Sequence, residues 1–259
     1  MISMSVLNNL QEKHRANKKS IAVLVDPDKA EDPSKLLQLI NLASENCVDY
    51  FFVGGSLVTS SNLSEVVRQI KENVTIPLVL FPGNAIQVEA SADALLFLSL
   101  ISGRNPELLI GQHVVAAPIL KNTRLEIIPT GYMLINSGKI TSVAYISNTM
   151  PIPDDKYSLA ASTALAGQML GLQTIYIDAG SGAEKEISPR MIASVRKAVT
   201  IPLIVGGGIN SAQKAIAALE AGADMIVVGN ALEKNPDLLT EVSEKIYAWN
   251  KVSSKGSKI

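Results

Sequence analysis

Cysteine, histidine and net charge are all scarce in this chain of 259 residues. The single cysteine, Cys47, excludes an internal disulfide, and its place just before a strand-like run predicts a buried structural thiol. The 23 lysines and arginines nearly balance the 24 aspartates and glutamates, so no broad basic field is available to bind nucleic acid. His14 and His113 lie in helical patterns, and we expect both at the surface rather than in catalysis, with packing in an interface as the alternative for His113.

Long hydrophobic runs are absent as well. The longest uncharged apolar stretch, Ala94–Ile101, is far shorter than the roughly 20 residues that a membrane span requires. The N-terminus lacks the apolar region of a signal peptide. We therefore expect a cytoplasmic protein without a transmembrane segment. Hydrophobic residues still make up 47% of the chain, enough for one large core, and we predict a single domain over residues 1–259.

Short apolar runs alternate with helical patterns, which is typical of a parallel sheet with crossover helices. The runs are Ile21–Val25, Val48–Val53, Pro77–Phe81, Ala94–Leu98, Leu125–Ile128, Thr174–Ile177, Leu203–Val205 and Met225–Val228. The helical patterns are Pro33–Asn46, Asn62–Asn73, Pro106–Leu120, Asp155–Leu170, Pro189–Ala198, Ser211–Ala221 and Pro236–Asn250. Eight such strands predict an α/β fold, a (β/α)8 TIM barrel of roughly 250 residues.

Two segments break the regular spacing. Gly83–Ser91 is too short for an ordinary helix, so we expect a modified barrel whose third helix is replaced by a loop or extended piece. Gly131–Asp155 is interpreted as an inserted hairpin and a proline-stiffened loop that covers the substrate. The charged C-terminal residues Lys251–Ile259 indicate a frayed tail.

Three predicted strands end at glycines, in Ile175–Ala183, Leu203–Asn210 and Met225–Ala231. Glycines there leave backbone N–H groups free to face an anion, and TIM barrels commonly bind phosphate after strands seven and eight. Each glycine taken singly is explained equally well by a tight turn. Three such ends on adjacent strands favour a phosphate site.

Acidic and hydroxyl side chains accompany these strand ends. Asp178 is either a turn or helix cap or a general base beside the phosphate. Tyr132 and Tyr176 could offer hydroxyls to the same ligand, or be core residues with satisfied O–H groups. At the first two strands, Asp26 and Ser56 supply the oxygen ligands that Mg²⁺ prefers, although Asp26-Pro27-Asp28 also fits a plain turn.

Taken together, these motifs resemble the geranylgeranylglyceryl phosphate synthase family, which includes the shorter bacterial heptaprenylglyceryl phosphate synthases. The resemblance runs from about Ile21 to Glu233. Its motifs are V-D-P-D-K (Val25–Lys29), V-G-G-S (Val53–Ser56), L-F-P-G-N (Leu80–Asn84), S-G-R-N-P (Ser102–Pro106), I-P-T-G-Y (Ile128–Tyr132), A-L-A-G-Q (Ala164–Gln168), A-G-S-G-A, V-G-G-G-I and V-G-N. L-F-P-G-N and A-G-S-G-A together are typical of the longer, mostly archaeal branch.

The resemblance implies a modified TIM barrel that joins sn-glycerol 1-phosphate to a polyprenyl diphosphate, expected to be geranylgeranyl diphosphate, and releases diphosphate with the help of Mg²⁺. Asp178 would orient or deprotonate the glycerol hydroxyl, and Asp26 and Ser56 would hold Mg²⁺. Glycerol phosphate would bind at Tyr176, Ile177, Asp178, Ala179, Gly180, Ser181, Gly182, Gly207, Gly208, Gly229 and Asn230. Such enzymes form dimers and larger assemblies, so we expect a homo-oligomer, and transient contact with a membrane surface is compatible with the lipid substrate.

The groove for the prenyl tail would include Phe81, Phe97 and Leu98. Two positions depart from the family pattern. Many members have glutamate where this chain has Asp178, and the short bacterial branch has a lysine where this chain has Leu24. Another donor must therefore take over from that lysine.

Two other functions remain open from the sequence. A phosphosugar isomerase or synthase of amino-acid or thiamine pathways would share the glycine strand ends but would not need V-D-P-D-K and A-G-S-G-A together. A barrel that has lost catalysis and acts as a binding protein is the second alternative, against which the intact Asp26 argues.

Overall fold

The computed structural model describes residues 5–59 and 62–256. Eight parallel strands pair in chain order, and the last pairs with the first to close a barrel. The strands are β1 Ser20–Val25, β2 Tyr50–Gly55, β3 Leu78–Pro82, β4 Ala94–Leu100, β5 Glu126–Leu134, β6 Thr174–Asp178, β7 Leu203–Gly206 and β8 Met225–Val228. The predicted (β/α)8 barrel is confirmed, with β5 continuing well past its predicted end at Ile128.

The helices lie outside the barrel or close its ends. They are α1 Val6–Arg15, α2 Pro33–Glu45, α3 Leu63–Asn73, α4 Gln112–Leu120, α5 Ser142–Ser147, α6 Tyr157–Met169, α7 Pro189–Ala198, α8 Ala212–Glu220, α9 Asn230–Lys234 and α10 Asp237–Gly256. Local sequence explains several starts: the side chain of Asp32 accepts from the Ser34 amide, and that of Ser188 from the Met191 amide, each before a proline at the first turn.

Alternate residues of each strand face two different cores. Val23 of β1 and Phe51 of β2 pack outward beneath the helices, whereas Ala22 and Phe52 point into the barrel. This alternation follows from the pleat of a strand, and burial on both faces explains the continuous apolar runs in the sequence.

Helix α1 closes the N-terminal end of the barrel and was not predicted. Its Val6 and Leu10 pack against the inward-facing side chains of the strands. The amides of Val6 and Leu7 donate to the carboxylate of Glu126 at 2.6 and 3.0 Å, which satisfies backbone donors at the start of the helix. Among the residues that the structure describes, the opposite end of the barrel is therefore the open one.

The gap between β3 and β4 holds no helix, as predicted. Residues 83–93 form turns and irregular backbone, and the ladder between the two strands consists of two residue pairs, Val79 with Ala94 and Leu80 with Leu95. The missing crossover helix leaves the outer face of β4 open toward α4. This opening becomes part of the cavity described below.

Three local predictions are wrong. Cys47 is exposed, because it follows α2 in a left-handed turn at φ 51° and the chain buries Val48 instead. Gly131–Asp155 contains α5 and a single parallel bridge between Ile135 and Ile152 rather than a hairpin. The predicted frayed tail is helical as far as Gly256, since α10 continues through it; residues 257–259 lie outside the described range.

No helix within the described residues combines the length and the apolar character that crossing a bilayer would require.

Candidate active site

A cavity of about 1200 Å³ opens at the carboxyl ends of the strands. It collects most of the predicted site residues, namely Asp26, Ser56, Tyr132, Tyr176, Asp178, Gly180, Ser181, Gly182, Gly207, Gly208, Gly229 and Asn230. Ile177 and Ala179 are exceptions, because their side chains are fully buried in the core beneath the helices. Ligands can meet these two residues only through the backbone.

Asp178 ends β6 at the bottom of this cavity, with 7% of its surface exposed. One carboxylate oxygen accepts from the Tyr132 hydroxyl at 2.5 Å, and the other accepts from the Gly180 amide at 2.8 Å. Burial raises the pKa of Asp178 above its ordinary value, and the two hydrogen bonds oppose that rise. The hydrogen bonds thus hold the carboxylate in place, and its raised pKa makes it a better proton acceptor, as a general base requires.

Three aromatic rings lie beside this carboxylate. Phe81 stacks on Tyr176 with 5.0 Å between the ring centroids, and Tyr132 meets the edge of Phe81 at 5.9 Å. Burial, together with the charge of Asp178, raises the pKa of both tyrosines well above the ordinary value, so both hydroxyls stay protonated. The cluster presents aromatic surface that can stabilise a positive charge.

The glycines after β7 bring two loops together. Gly207 and Gly208 have φ values of 76° and 71°. A Cβ on Gly207 would lie 2.6 Å from the Asp178 carboxylate and 2.8 Å from the amide nitrogens of Ala179 and Gly180. Glycine is therefore required here both by the backbone conformation and by the close approach of the β6 loop.

Replacing Gly207 with alanine is expected to lower the free energy of unfolding by about 1–3 kcal/mol, because strain at positive φ adds to the clash with Asp178. Urea denaturation would measure the loss. Gly171→Ala is the matched control, since Gly171 also has a positive φ of 93° but an added Cβ would meet nothing within 4 Å. Equal losses in the two variants would contradict a contact between the β6 and β7 loops.

Asp26 and Ser56 end β1 and the neighbouring β2. The Asp26 carboxylate accepts from the Asp28 amide at 3.1 Å and packs on Gly55, where a Cβ would lie 3.4 Å from the carboxylate oxygen. Burial raises the pKa of Asp26, while the Asp28 amide and the Lys29 ammonium act in the opposite direction. Within the described residues no three acidic, histidine or cysteine side chains come together as a metal site, so a cation here would depend on ligand oxygens as well.

A line of side chains crosses the mouth of the cavity. The Lys29 ammonium donates to the Asn230 side-chain oxygen at 2.6 Å, and the Asn230 amide nitrogen donates to the Ser181 hydroxyl at 3.0 Å. These contacts join the loops after β1, β8 and β6. Sequence patterns predicted a role in binding for Asn230 and Ser181 but none for Lys29.

An apolar groove extends from the same cavity between β4 and α4. The predicted groove residues Phe81, Phe97 and Leu98 all line the cavity, but only Phe97 lies on the side of α4, which contributes Ala116 and Leu120. Phe81 and Leu98 pack with the side chains inside the barrel. The groove exists because no helix follows β3.

His113 also faces this groove, so the expectation of a surface histidine is wrong. Its ring nitrogen Nε2 lies 3.1 Å from the Ser99 hydroxyl, and its ring meets the edge of Phe97 at 4.5 Å. Burial lowers the pKa of His113, which keeps the imidazole neutral near pH 7. The helical period alone could have placed His113 on the same face as Ala116 and Leu120.

Thr141 is a further residue of the cavity that no sequence pattern indicated. It is buried, lines the cavity, and its hydroxyl has no hydrogen-bond partner among the described residues. A Cβ on Gly180 would lie 2.8 Å from that hydroxyl, which places Thr141 against the A-G-S-G loop. No local pattern in the covering segment singles this residue out.

Comparison with known proteins identifies relatives along nearly the whole chain. The PcrB family matches residues 14–246. Geranylgeranylglyceryl phosphate synthase of Spirosoma linguale is 55% identical over 93% of this chain and 96% of its own length. The archaeal protein of the same name from Methanosphaera stadtmanae is 38% identical over 93% of this chain and 98% of its own length.

Solved structures with a similar fold include proteins of the same name as these relatives. The (S)-3-O-geranylgeranylglyceryl phosphate synthase of Thermoplasma acidophilum, in complex with its substrate sn-glycerol-1-phosphate, superposes with a TM-score of 0.88 at 33% identity, covering 94% of this chain and 98% of that chain. Thiamine phosphate pyrophosphorylase of Pyrococcus furiosus reaches a TM-score of 0.55 at 14% identity, over 91% and 98% of the two chains, and shares the fold alone. The chain therefore belongs to the PcrB family, which confirms its resemblance to geranylgeranylglyceryl phosphate synthases.

Proposed function

We propose that this protein transfers a prenyl group from a polyprenyl diphosphate, geranylgeranyl diphosphate in the first instance, to sn-glycerol 1-phosphate. The observation that carries the proposal is one continuous cavity in which a glycine-lined end, with Asp178 and Tyr132, passes into an apolar groove between β4 and α4. A small phosphate and a long apolar tail are the two ligands that such a cavity suits. The sn-glycerol-1-phosphate bound to the Thermoplasma acidophilum synthase supports the choice of acceptor.

The phosphate of the acceptor would bind to backbone amides at the three glycine strand ends. Gly180–Gly182, Gly207–Gly208 and Gly229–Asn230 all border the cavity, and loops of this kind bind anions through N–H groups without needing many cations. Ser181, Tyr176 and Thr141, which carry hydroxyl groups, line the same cavity. The Thr141 hydroxyl, which lacks a protein partner among the described residues, is suited to hydrogen-bond the ligand.

Asp178 would act on the acceptor hydroxyl. As the C1–O bond to diphosphate breaks, the glycerol C3 oxygen forms a new bond to C1 of the prenyl chain, and its proton passes to the Asp178 carboxylate. Tyr132 holds that carboxylate through its 2.5 Å hydrogen bond. The Phe81, Tyr176 and Tyr132 rings stabilise positive charge that develops on the allylic carbon.

Asp26 and Ser56 are the residues that fit Mg²⁺. Their carboxylate and hydroxyl oxygens are the donors this hard cation prefers, and few protein ligands suit an ion that also binds phosphate oxygens. The Asp26 carboxylate lies beside Gly55, where a Cβ would be 3.4 Å from it, at ordinary van der Waals contact. When bound, Mg²⁺ would neutralise charge on the departing diphosphate.

Homo-oligomerisation and cytoplasmic location complete the proposal. Exposed apolar side chains on α4, Val114, Val115 and Ile119, offer a surface that a second copy of the chain could cover. Ile140 and Met150, both more than four-fifths exposed at 81% and 87%, lie in the segment that covers the cavity and could touch a membrane surface transiently.

A turnover assay tests the proposal directly. The chain is incubated with sn-glycerol 1-phosphate, Mg²⁺ and prenyl diphosphates of increasing length, and ether product and diphosphate are measured. We expect product with geranylgeranyl diphosphate and a marked preference over the sn-glycerol 3-phosphate enantiomer. Absence of product at every prenyl length would overturn the proposal and would favour a binding protein.

A further inference from the structure

Cations are few around the mouth of the cavity. Within the described residues that line it, the cationic side chains are Lys29 and Lys234. Lys29 donates to the Asn230 side-chain oxygen at 2.6 Å, and its ammonium lies 3.7 Å from the Glu233 carboxylate. Lys29 is therefore engaged with the loop after β8, although it belongs to the loop after β1.

Hydrogen bonds and a short turn fix the position of the Lys29 backbone. It ends a short 3₁₀ turn, Pro27–Lys29, whose first residue is proline and whose start is capped by the Asp26 side chain. Asp28 binds the Thr59 amide and hydroxyl, at 2.8 and 2.9 Å, and so joins this turn to the loop after β2. The Lys29 side chain thus extends from a fixed point toward β8.

The contact dictates how the Asn230 side chain is oriented. An ammonium group can only donate hydrogen bonds, so the side-chain oxygen of Asn230 must face Lys29. The amide nitrogen then faces the opposite direction and donates to the Ser181 hydroxyl at 3.0 Å. Without Lys29 the amide could turn its oxygen into the phosphate pocket, where it would repel the ligand.

We propose that Lys29 is a positioning residue for the sn-glycerol 1-phosphate half of the site. It fixes the Asn230 amide and, through Asn230, the Ser181 hydroxyl, so that both present donors to the phosphate. This inference rests on the proposed function, because it takes Asn230 and Ser181 as phosphate ligands. Lys29 is also a candidate for the donor that replaces the lysine expected at the position of Leu24.

The test separates binding of the acceptor from binding of the diphosphate. For Lys29→Met we expect the Kd for sn-glycerol 1-phosphate, measured by calorimetry without prenyl substrate, to rise about tenfold. The KM for the acceptor should rise in parallel, while the KM for the prenyl diphosphate and kcat change by less than about threefold. Lys29→Arg keeps a donor and should restore the wild-type Kd to within about threefold.

Two comparisons show whether Lys29 acts through Asn230. The Lys29→Met, Asn230→Ala double variant should bind the acceptor no more weakly than Asn230→Ala alone, because Lys29 acts only through the Asn230 side chain that the single variant already lacks. Lys35→Met is the matched control: it removes the same charge from an exposed side chain of α2 that does not line the cavity and should leave the Kd unchanged. Thermal melts establish that each variant is folded.

Three results would overturn the proposal. One is an unchanged acceptor Kd in Lys29→Met; another is additive losses in the double variant; the third is a rise confined to the prenyl diphosphate KM, which would make Lys29 a diphosphate ligand. A wild-type chain that fails to bind sn-glycerol 1-phosphate would instead contradict the proposed function itself, so the two failures can be told apart.

Discussion

Asp178→Asn is expected to lower kcat by about 10²- to 10⁴-fold, the usual contribution of a general base. Asparagine has nearly the same shape but cannot take the proton of the glycerol hydroxyl. Its oxygen can still accept from the Gly180 amide, now 2.8 Å from the carboxylate, and its NH₂ group can donate to the Tyr132 hydroxyl, which reverses the present 2.5 Å hydrogen bond. Single-turnover measurement of ether formation with both substrates saturating would give the rate of the chemical step.

Two further variants separate proton transfer from positioning. Tyr132→Phe removes one hydrogen bond but keeps the carboxylate, so we expect a loss of about tenfold, far smaller than that of Asp178→Asn. Asp178→Glu keeps the carboxylate on a side chain longer by one methylene and should preserve or raise the rate. An Asp178→Asn variant with near wild-type kcat, or an Asp178→Glu variant as inactive as Asp178→Ala, would count against a proton-accepting role.

Asp26→Ala is expected to reduce turnover to background while leaving the barrel folded. The reason is that Asp26 supplies the carboxylate at the end of β1, and several kcal/mol of charge stabilisation by a bound cation would be lost with it. Asp26→Asn tests the role of the negative charge by itself, because its side-chain oxygen can still accept from the Asp28 amide, as the aspartate does at 3.1 Å. Turnover as a function of Mg²⁺ concentration, with the thermal melt recorded for each variant, measures both effects.

Asp32→Asn provides the control for Asp26. Asp32 is an exposed acidic residue of the same β1–α2 connection, but it caps α2 and does not line the cavity. Activity and Mg²⁺ dependence should match those of the wild type. Retained turnover in Asp26→Ala would remove the metal role from this residue.

The barrel strands could be predicted because a strand that is buried on both faces appears in the sequence as a short, continuous apolar run. Leu203–Val205, which stops at a glycine, is an example. Helix α7 was predicted at both ends, since Ser188 and Pro189 mark its start and Val199 begins an extended segment. Helix α1 was missed because it is mostly polar, and its position depends on Glu126, which lies far away in the chain.

In the candidate site too, features that depend on local sequence could be predicted, and features that depend on distant contacts could not. Glycine strand ends and Asp178 are local patterns, and the structure brings them to one cavity. The contact between Lys29 and Asn230 joins residues 201 positions apart, and the inward orientation of His113 depends on the missing helix after β3. Only closure of the barrel creates the contact between Lys29 and Asn230, so spacing along the chain could not reveal it. For His113, the helical period indicates the face that it shares with Ala116 and Leu120, but not that this face borders a cavity.

The missing helix also affects how the barrel resists opening. The β3–β4 ladder has two residue pairs, and the β7–β8 ladder is equally short. Helix α8 connects β7 with β8, whereas residues 83–93, which connect β3 with β4, form no helix. Amide exchange should therefore be fastest along the β3–β4 seam, because few buried contacts protect it. A prenyl tail lying in the groove would bury that seam, so the lipid substrate would stabilise the barrel where its own helix does not.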